Sequence, residues 1–213
     1  MKPFATSLLP SLIEAIAETI AINAEEVTAL DQAIGDGDHV VNLQRGLHAL
    51  MAQRDELGKL DWSVAWQKIG MTLMSTVGGA SGSLFGTLFV AMSKAVLDRP
   101  LDLERFAEVF TQGVASVKLR GKADVGEKTM LDVLVPVADY LRSAATNRVE
   151  VSDVLTGVAS AAIAGVEATR DMVATKGRAS FLEERSRGHI DAGAKTTQLM
   201  ICAIAGVLST APA

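Results

Sequence analysis

Apolar residues return at three- and four-residue intervals along most of the chain, as at Leu12, Ile13, Ile16 and Ile20 and again at Val27 and Leu30. That spacing lays one face of an α-helix against a core. Strand-like alternation is almost absent. The pattern predicts helices over roughly 8–22, 24–34, 39–56, 62–77, 81–97, 102–119, 128–145, 152–175 and 193–209. Asp61, Asp102 and Ser152 stand where N-caps are expected, and Gly35 is expected to end its helix in the left-handed conformation. Most connections are short, which favours antiparallel neighbours in an all-α bundle or closed barrel. The longer interruptions are 120–127, RGKADVGE, and 176–192, KGRASFLEERSRGHIDA.

Composition narrows the class. With 49% hydrophobic and 21% charged residues, the 213-residue chain reads as one globular domain, 1–213. A net charge of -5 argues against a nucleic-acid partner. The lone cysteine, Cys202, excludes an internal disulfide, fits a reducing compartment and is expected to be buried. Glu14 and Glu18 interrupt the N-terminal apolar residues, so no secretory leader is expected and the location is read as cytoplasmic. The uncharged stretch Ile69–Ser93 is long enough to span a membrane, but its glycines and serines suggest two buried helices around a turn, so no membrane partner is expected. Trp62 and Trp66, four apart, read as core.

Chemistry concentrates in LDQAIGDGDHVVNLQRG, residues 30–46, where Asp31, Asp36 and Asp38 crowd a break between helices. Asp31 falls in the last helical turn, and Asp36 and Asp38, two apart beyond it, point to one side. Three carboxylates at the negative end of a helix repel one another and call for a cation. An all-oxygen set selects Mg²⁺ or Ca²⁺ over zinc, and the spacing is not that of an EF-hand. Mg²⁺ is commonly shared with a substrate's phosphates. The bland alternative is a turn with an N-cap and a solvated Asp31.

Two further stretches suit an anion. STVGGASGSLFG, 75–86, is no Walker A loop, but its glycine turn opens a helix whose first N–H groups are free; close helix packing through small residues explains it equally. The 176–192 loop carries Lys176, Arg178, Arg185, Arg187 and His189, either to close over a nucleotide or as charged surface. Lys128, Thr129 and Met130 open a helix, and capping would account for Thr129.

Taken together, these motifs, with GMTLMSTVGGASGSLFGTLF, RGKADVGEKTMLDVLVPV and KGRASFLEERSRGHIDAGA, closely resemble the L subunit of dihydroxyacetone kinase. The resemblance implies a barrel of eight antiparallel helices that holds ADP or ATP at one end. It implies that Asp31, Asp36 and Asp38 bind two Mg²⁺ ions against the nucleotide phosphates. His39, Val40, Val41, Asn42, Gly79, Ala80, Ser81, Gly121, Thr129, Met130, Arg178, Asp191, Ala192 and Gly193 match nucleotide-contacting positions, with Arg178 and the Gly79–Gly82 amides on phosphate oxygens and Met130 suited to adenine.

The resemblance also implies a separate K-type subunit that binds the ketone. A phosphohistidine relay protein of the M type is implied where ADP stays bound as a cofactor. A homodimer is one option for the chain's own assembly. The alternatives are an ATP-dependent kinase for another ketose or sugar acid, and a non-catalytic nucleotide-sensing regulatory subunit. The sequence departs from the family pattern at Val40, where many relatives have glycine, at Ser83 and Ala192, where proline is frequent, and at Glu183, where LGERS has glycine.

Overall fold

In the computed structural model, which describes residues 4–96 and 100–210, ten α-helices and three 3₁₀ segments account for the regular structure, with no strand among the described residues. The helices are α1 Leu9–Ile22, α2 Ala24–Ile34, α3 His39–Met51, α4 Arg54–Leu57, α5 Trp62–Thr76, α6 Gly79–Ala95, α7 Leu103–Gly121, α8 Leu131–Thr146, α9 Val151–Ala168 and α10 Ala192–Thr210.

Eight of them close a ring. From α5 to α10 each packs on the next, α10 packs on α1, α1 on α3 and α3 on α5. The α2 helix stands outside it, touching α1, α3 and α10. Close glycine contacts fix the directions: Gly113 meets Leu88 and Met92 while Gly121 meets Leu84, and Gly165 meets Asp132 while Gly157 meets Tyr140, so α6–α7 and α8–α9 run antiparallel. The expected eight-helix barrel is thus observed.

Apolar stripes from the ring helices fill the interior, with Trp66, Phe85, Val109 and Leu134 almost wholly buried. At the centre remains a cavity of about 270 Å³ whose walls are apolar except for Thr197. Trp62 and Trp66 lie 4.9 Å apart and belong to this packing, as expected. Two helices, α9 with its 3₁₀ extension to Asp171 and α10, are long and apolar enough to cross a membrane by length and composition. They lie side by side as staves of the ring. The Ile69–Ser93 stretch is the α5–α6 hairpin, bent at the glycine turn.

Several sequence expectations shift. The helix expected over 39–56 breaks after Met51 and resumes as the short α4. The helix expected from 128 begins at Leu131, because Lys128 has φ +62° and cannot continue a right-handed helix. The helix expected to 175 ends at Ala168, followed by one 3₁₀ turn to Asp171. Gly35 has φ -136° rather than a left-handed value; the positive φ falls at Gly37, and Gly35 is needed because a side chain there would strike the Asp31 carboxylate. Residue 97, the expected end of one helix, lies outside the described residues. Cys202 is half-buried rather than buried, and its sulfur accepts a hydrogen bond from Gln198.

Candidate functional site

The antiparallel ring brings one set of helix ends together: the C-terminus of α2, the N-termini of α3, α6, α8 and α10, and the loops 122–130 and 172–191. Asp31 projects from the last turn of α2, while Asp36 and Asp38 follow in the turn that leads into α3. One carboxylate oxygen of each lies within 4.8 Å of the others. Asp31 is held in place by a hydrogen bond from the His39 backbone N–H, 3.1 Å. The Arg178 Nε stands 2.8 Å from Asp36, so a loop 142 residues downstream in the chain, by residue number, supplies a cation to the cluster. Three hard oxygen donors at this separation fit a small divalent ion.

His39, the first residue of α3, ties three elements together. Its Nε2 lies 2.9 Å from the Thr196 hydroxyl on α10, and its Nδ1 lies 3.2 Å from the Ser81 hydroxyl on α6. Burial holds its pKa below the ordinary imidazole value, against the opposing fields of Asp31 and Asp38. The ring therefore acts as a neutral strut between the acidic turn and the glycine turn.

Val40 and Val41 point in opposite senses. The Val40 side chain is buried with Ile20, Val27, Leu43 and Leu47, leaving only its backbone at the site, whereas Val41 is exposed. A valine in place of the family glycine therefore turns its bulk away from the acidic turn. Asn42 reaches the glycine turn: a side chain at Gly78 would come within 2.6 Å of its Oδ1.

The glycine-rich stretch divides between two roles. Gly82 and Gly86 are packing residues, since a Cβ at Gly82 would lie 2.1 Å from the Val77 carbonyl and one at Gly86 would strike Met74. Gly79 has φ +68° and open space where a side chain would be. With Ala80 and Ser81 it forms the first turn of α6, whose N–H groups have no acceptor within the helix.

Loop 122–130 is organised by Asp132, a buried side chain that accepts from the Gly126 and Thr129 N–H groups at 2.6 and 2.7 Å. The Thr129 hydroxyl accepts from the Leu131 N–H at 3.1 Å, so it does cap the helix start. Met130 is packed in the ring core, with its backbone nitrogen close to Gly193. Gly121, the last residue of α7, abuts Leu84 of α6.

Asp191 caps α10 by accepting from the Ala194 N–H at 2.7 Å, and Ala192 is buried beside it. Burial raises the Asp191 pKa to about 7; the Ala194 N–H and Lys128 oppose that rise, while Asp132 and Asp31 add to it. Glu127 joins the two loops, accepting from the Asp124 N–H and the Thr175 hydroxyl and pairing with Lys176.

Three residues that organise the site were not singled out for it in the sequence: Asp132, Thr196 and Lys128. The Thr129–Asp132 spacing is that of a capping box, a signal that could have found Asp132. Thr196 and the partners of Lys128 are distant in sequence, and no local pattern announces them.

Residues 33–206 match the DAK2 domain family. The chain belongs to that family. It is 42% identical over 187 residues to the ADP-binding subunit DhaL of PEP-dependent dihydroxyacetone kinase 1 from Listeria innocua serovar 6a, covering 88% of this chain and 89% of that one. It is 40% identical over 185 residues to the corresponding subunit from Escherichia coli strain K12, covering 86% and 88%. Among solved structures, the dihydroxyacetone kinase from C. freundii in complex with AMP-PNP and Mg²⁺ superposes with a TM-score of 0.73 and 25% identity, over 97% of this chain and 35% of that one. The resemblance to the L subunit drawn from the sequence motifs is borne out, and with it the all-α fold.

Proposed function

We propose that this chain, as one L-type domain, is the ADP-binding, phosphoryl-transferring subunit of a PEP-dependent dihydroxyacetone kinase. The observation that carries the reading is the convergence of Asp31, Asp36 and Asp38 at the mouth of the ring, facing the free N–H groups of the Gly79–Ser81 turn across the His39 strut.

Asp31, Asp36 and Asp38 would hold two Mg²⁺ ions, with the Asp31 carboxylate fixed by the hydrogen bond it accepts from the His39 N–H. When bound, the ions neutralise the nucleotide phosphates and align donor and acceptor oxygens. The amides of Gly79, Ala80 and Ser81 and the backbone of Val40, Val41 and Asn42 receive phosphate oxygens. Arg178, freed from Asp36, turns its guanidinium to the transferred group, where a planar fork of donors suits a phosphate. Gly121, Thr129, Met130, Asp191, Ala192 and Gly193 frame the rest of the nucleotide. No covalent nucleophile on this chain is required.

The acceptor ketone is held by a separate K-type subunit, and ADP is recharged in place by an M-type phosphohistidine protein, in the cytoplasm. The relatives named PEP-dependent and ADP-binding, matched along nearly their whole length, support the relay over free exchange of ATP. The test is turnover of dihydroxyacetone by this chain with a K-type partner, supplied either with the PEP relay or with ATP alone. Turnover that requires the relay is expected; rapid turnover on ATP without it would overturn the ADP-cofactor reading, and a different ketose or sugar acid outrunning dihydroxyacetone would overturn the acceptor.

A further inference from the structure

Lys128 is 1% exposed and sits in the left-handed region at φ +62°. Both features are costly: a buried ammonium loses its hydration, and a non-glycine residue is strained at that backbone angle. Its three donors are matched by three main-chain carbonyls. Nζ donates to Thr169 O at 2.7 Å, to Met172 O at 3.3 Å and to His189 O. These acceptors lie at the C-terminal end of α9 and at the two ends of the loop that carries Arg178.

The same neighbourhood is drawn tight by three other bonds: Ala174 N–H to Ser186 Oγ, Gly188 N–H to Arg170 O and Asp191 N–H to Thr169 Oγ1. Away from its ends, the loop rests on Ile34 of α2 through Ala174, Ala179 and Leu182. Asp191, Asp132 and Asp171 favour the charged lysine, Arg170 opposes it, and burial pushes its pKa down.

We propose that Lys128 is a positioning residue for nucleotide binding: its ammonium gathers the end of α9 and both ends of the 172–190 loop, and so holds Arg178 over the acidic turn. It draws together carbonyls from three separate points of the chain, and it does so from the segment that leads directly into Thr129 and Met130. One side chain thereby sets the spacing between two sides of the nucleotide site. The inference rests on the nucleotide-binding reading for its consequence, while the clamp itself is a property of the free protein.

The experiment compares wild type, Lys128→Met and Lys128→Arg by amide hydrogen exchange, by Mn²⁺ binding without nucleotide and by ADP binding with Mg²⁺. In Lys128→Met, protection is lost at Ala174, Gly188 and Asp191 and kept in α5–α7, Mn²⁺ binding stays as in wild type, and ADP binds about 10- to 100-fold more weakly, as when an outer partner of a site is removed. Lys128→Arg restores part of both the protection and the affinity. Intact loop protection with unchanged ADP affinity in Lys128→Met would overturn the proposal, as would a uniform loss of protection through all helices. If Lys128→Met does not fold, the wild-type ammonium decides: slow proton exchange at Nζ, slower still with Mg²⁺ and ADP, is expected, and rapid exchange overturns the clamp. Wild-type protein that binds no ADP would refute the nucleotide reading, with the hydrogen-exchange arm still judging the clamp.

Discussion

Arg178 pairs with Asp36 at 2.8 Å, although the arginine side chain is 70% exposed and the two residues come from separate loops. An exposed ion pair contributes little to stability, so its interest is positional: it parks a guanidinium beside carboxylates that would otherwise repel one another. Arg178→Ala is expected to leave Mg²⁺ binding to the free protein unchanged or slightly stronger and to lower phosphoryl transfer by about 10²–10³-fold. Asp36→Asn is expected to lower both metal and nucleotide binding. Calorimetry for binding and steady-state kinetics with a K-type partner separate the two variants.

Glu183 lies at φ 49°, ψ -127°, a conformation that suits glycine, and the family motif LGERS has glycine at that position. The break sits in the middle of the Arg178 loop, between two 3₁₀ turns. Glu183→Gly is expected to stabilise the protein by about 1 kcal/mol, relief of backbone strain outweighing the greater freedom of the unfolded chain. The midpoint of urea unfolding measures it; a lower midpoint would mean that the glutamate side chain makes a compensating contribution.

The glycine turn offers a test that separates packing from ligand contact. Gly82→Ala puts a methyl group against the Val77 carbonyl and is expected to destabilise the fold by about 2 kcal/mol or more. Gly79→Ala meets nothing, so its cost is the backbone strain of about 1 kcal/mol, while nucleotide affinity falls because the added methyl lies in the open space beside the phosphate turn. Thermal unfolding and ADP binding, measured on both variants, should rank them in opposite orders.

Asp191 gives the protein a predictable pH dependence. Its folded pKa of about 7 lies well above the unfolded carboxylate value of about 3.9. Its contribution is therefore fully present below about pH 4 and is lost as pH rises through about 7, because the unfolded chain ionises there more readily than the folded one. Asp191→Asn keeps an N-cap acceptor for Ala194 and removes the ionisation. Urea midpoints of the metal-free protein are expected to match wild type near pH 4 and to exceed it increasingly toward pH 7; parallel curves would contradict the burial of this carboxylate.

Much of this architecture is legible in local spacing. Three- and four-residue apolar periodicity locates the long helices, since each buries one continuous face, and the Asp31–Asp36–Asp38 spacing already implies convergence across a helix end. Helix ends are less legible where the deciding contact is remote. α9 stops short of residue 175 at a point where Lys128, 41 residues away in sequence, takes the Thr169 carbonyl. The His39–Thr196 bond spans 157 residues, so the strut between acidic turn and last helix has no local signature. Glycine after a helix usually signals a left-handed stop; at Gly35 the room it leaves is instead for the Asp31 carboxylate.

Acidic oxygens on α2 and the following turn are expected to bind nucleotide through divalent ions. Titration of ADP into wild-type protein by calorimetry, with Mg²⁺ present and then with EDTA, decides it. Saturable binding in Mg²⁺ is expected, weaker by about 100-fold or more without it; equal affinity under both conditions, or no binding in either, would refute this role for the carboxylates.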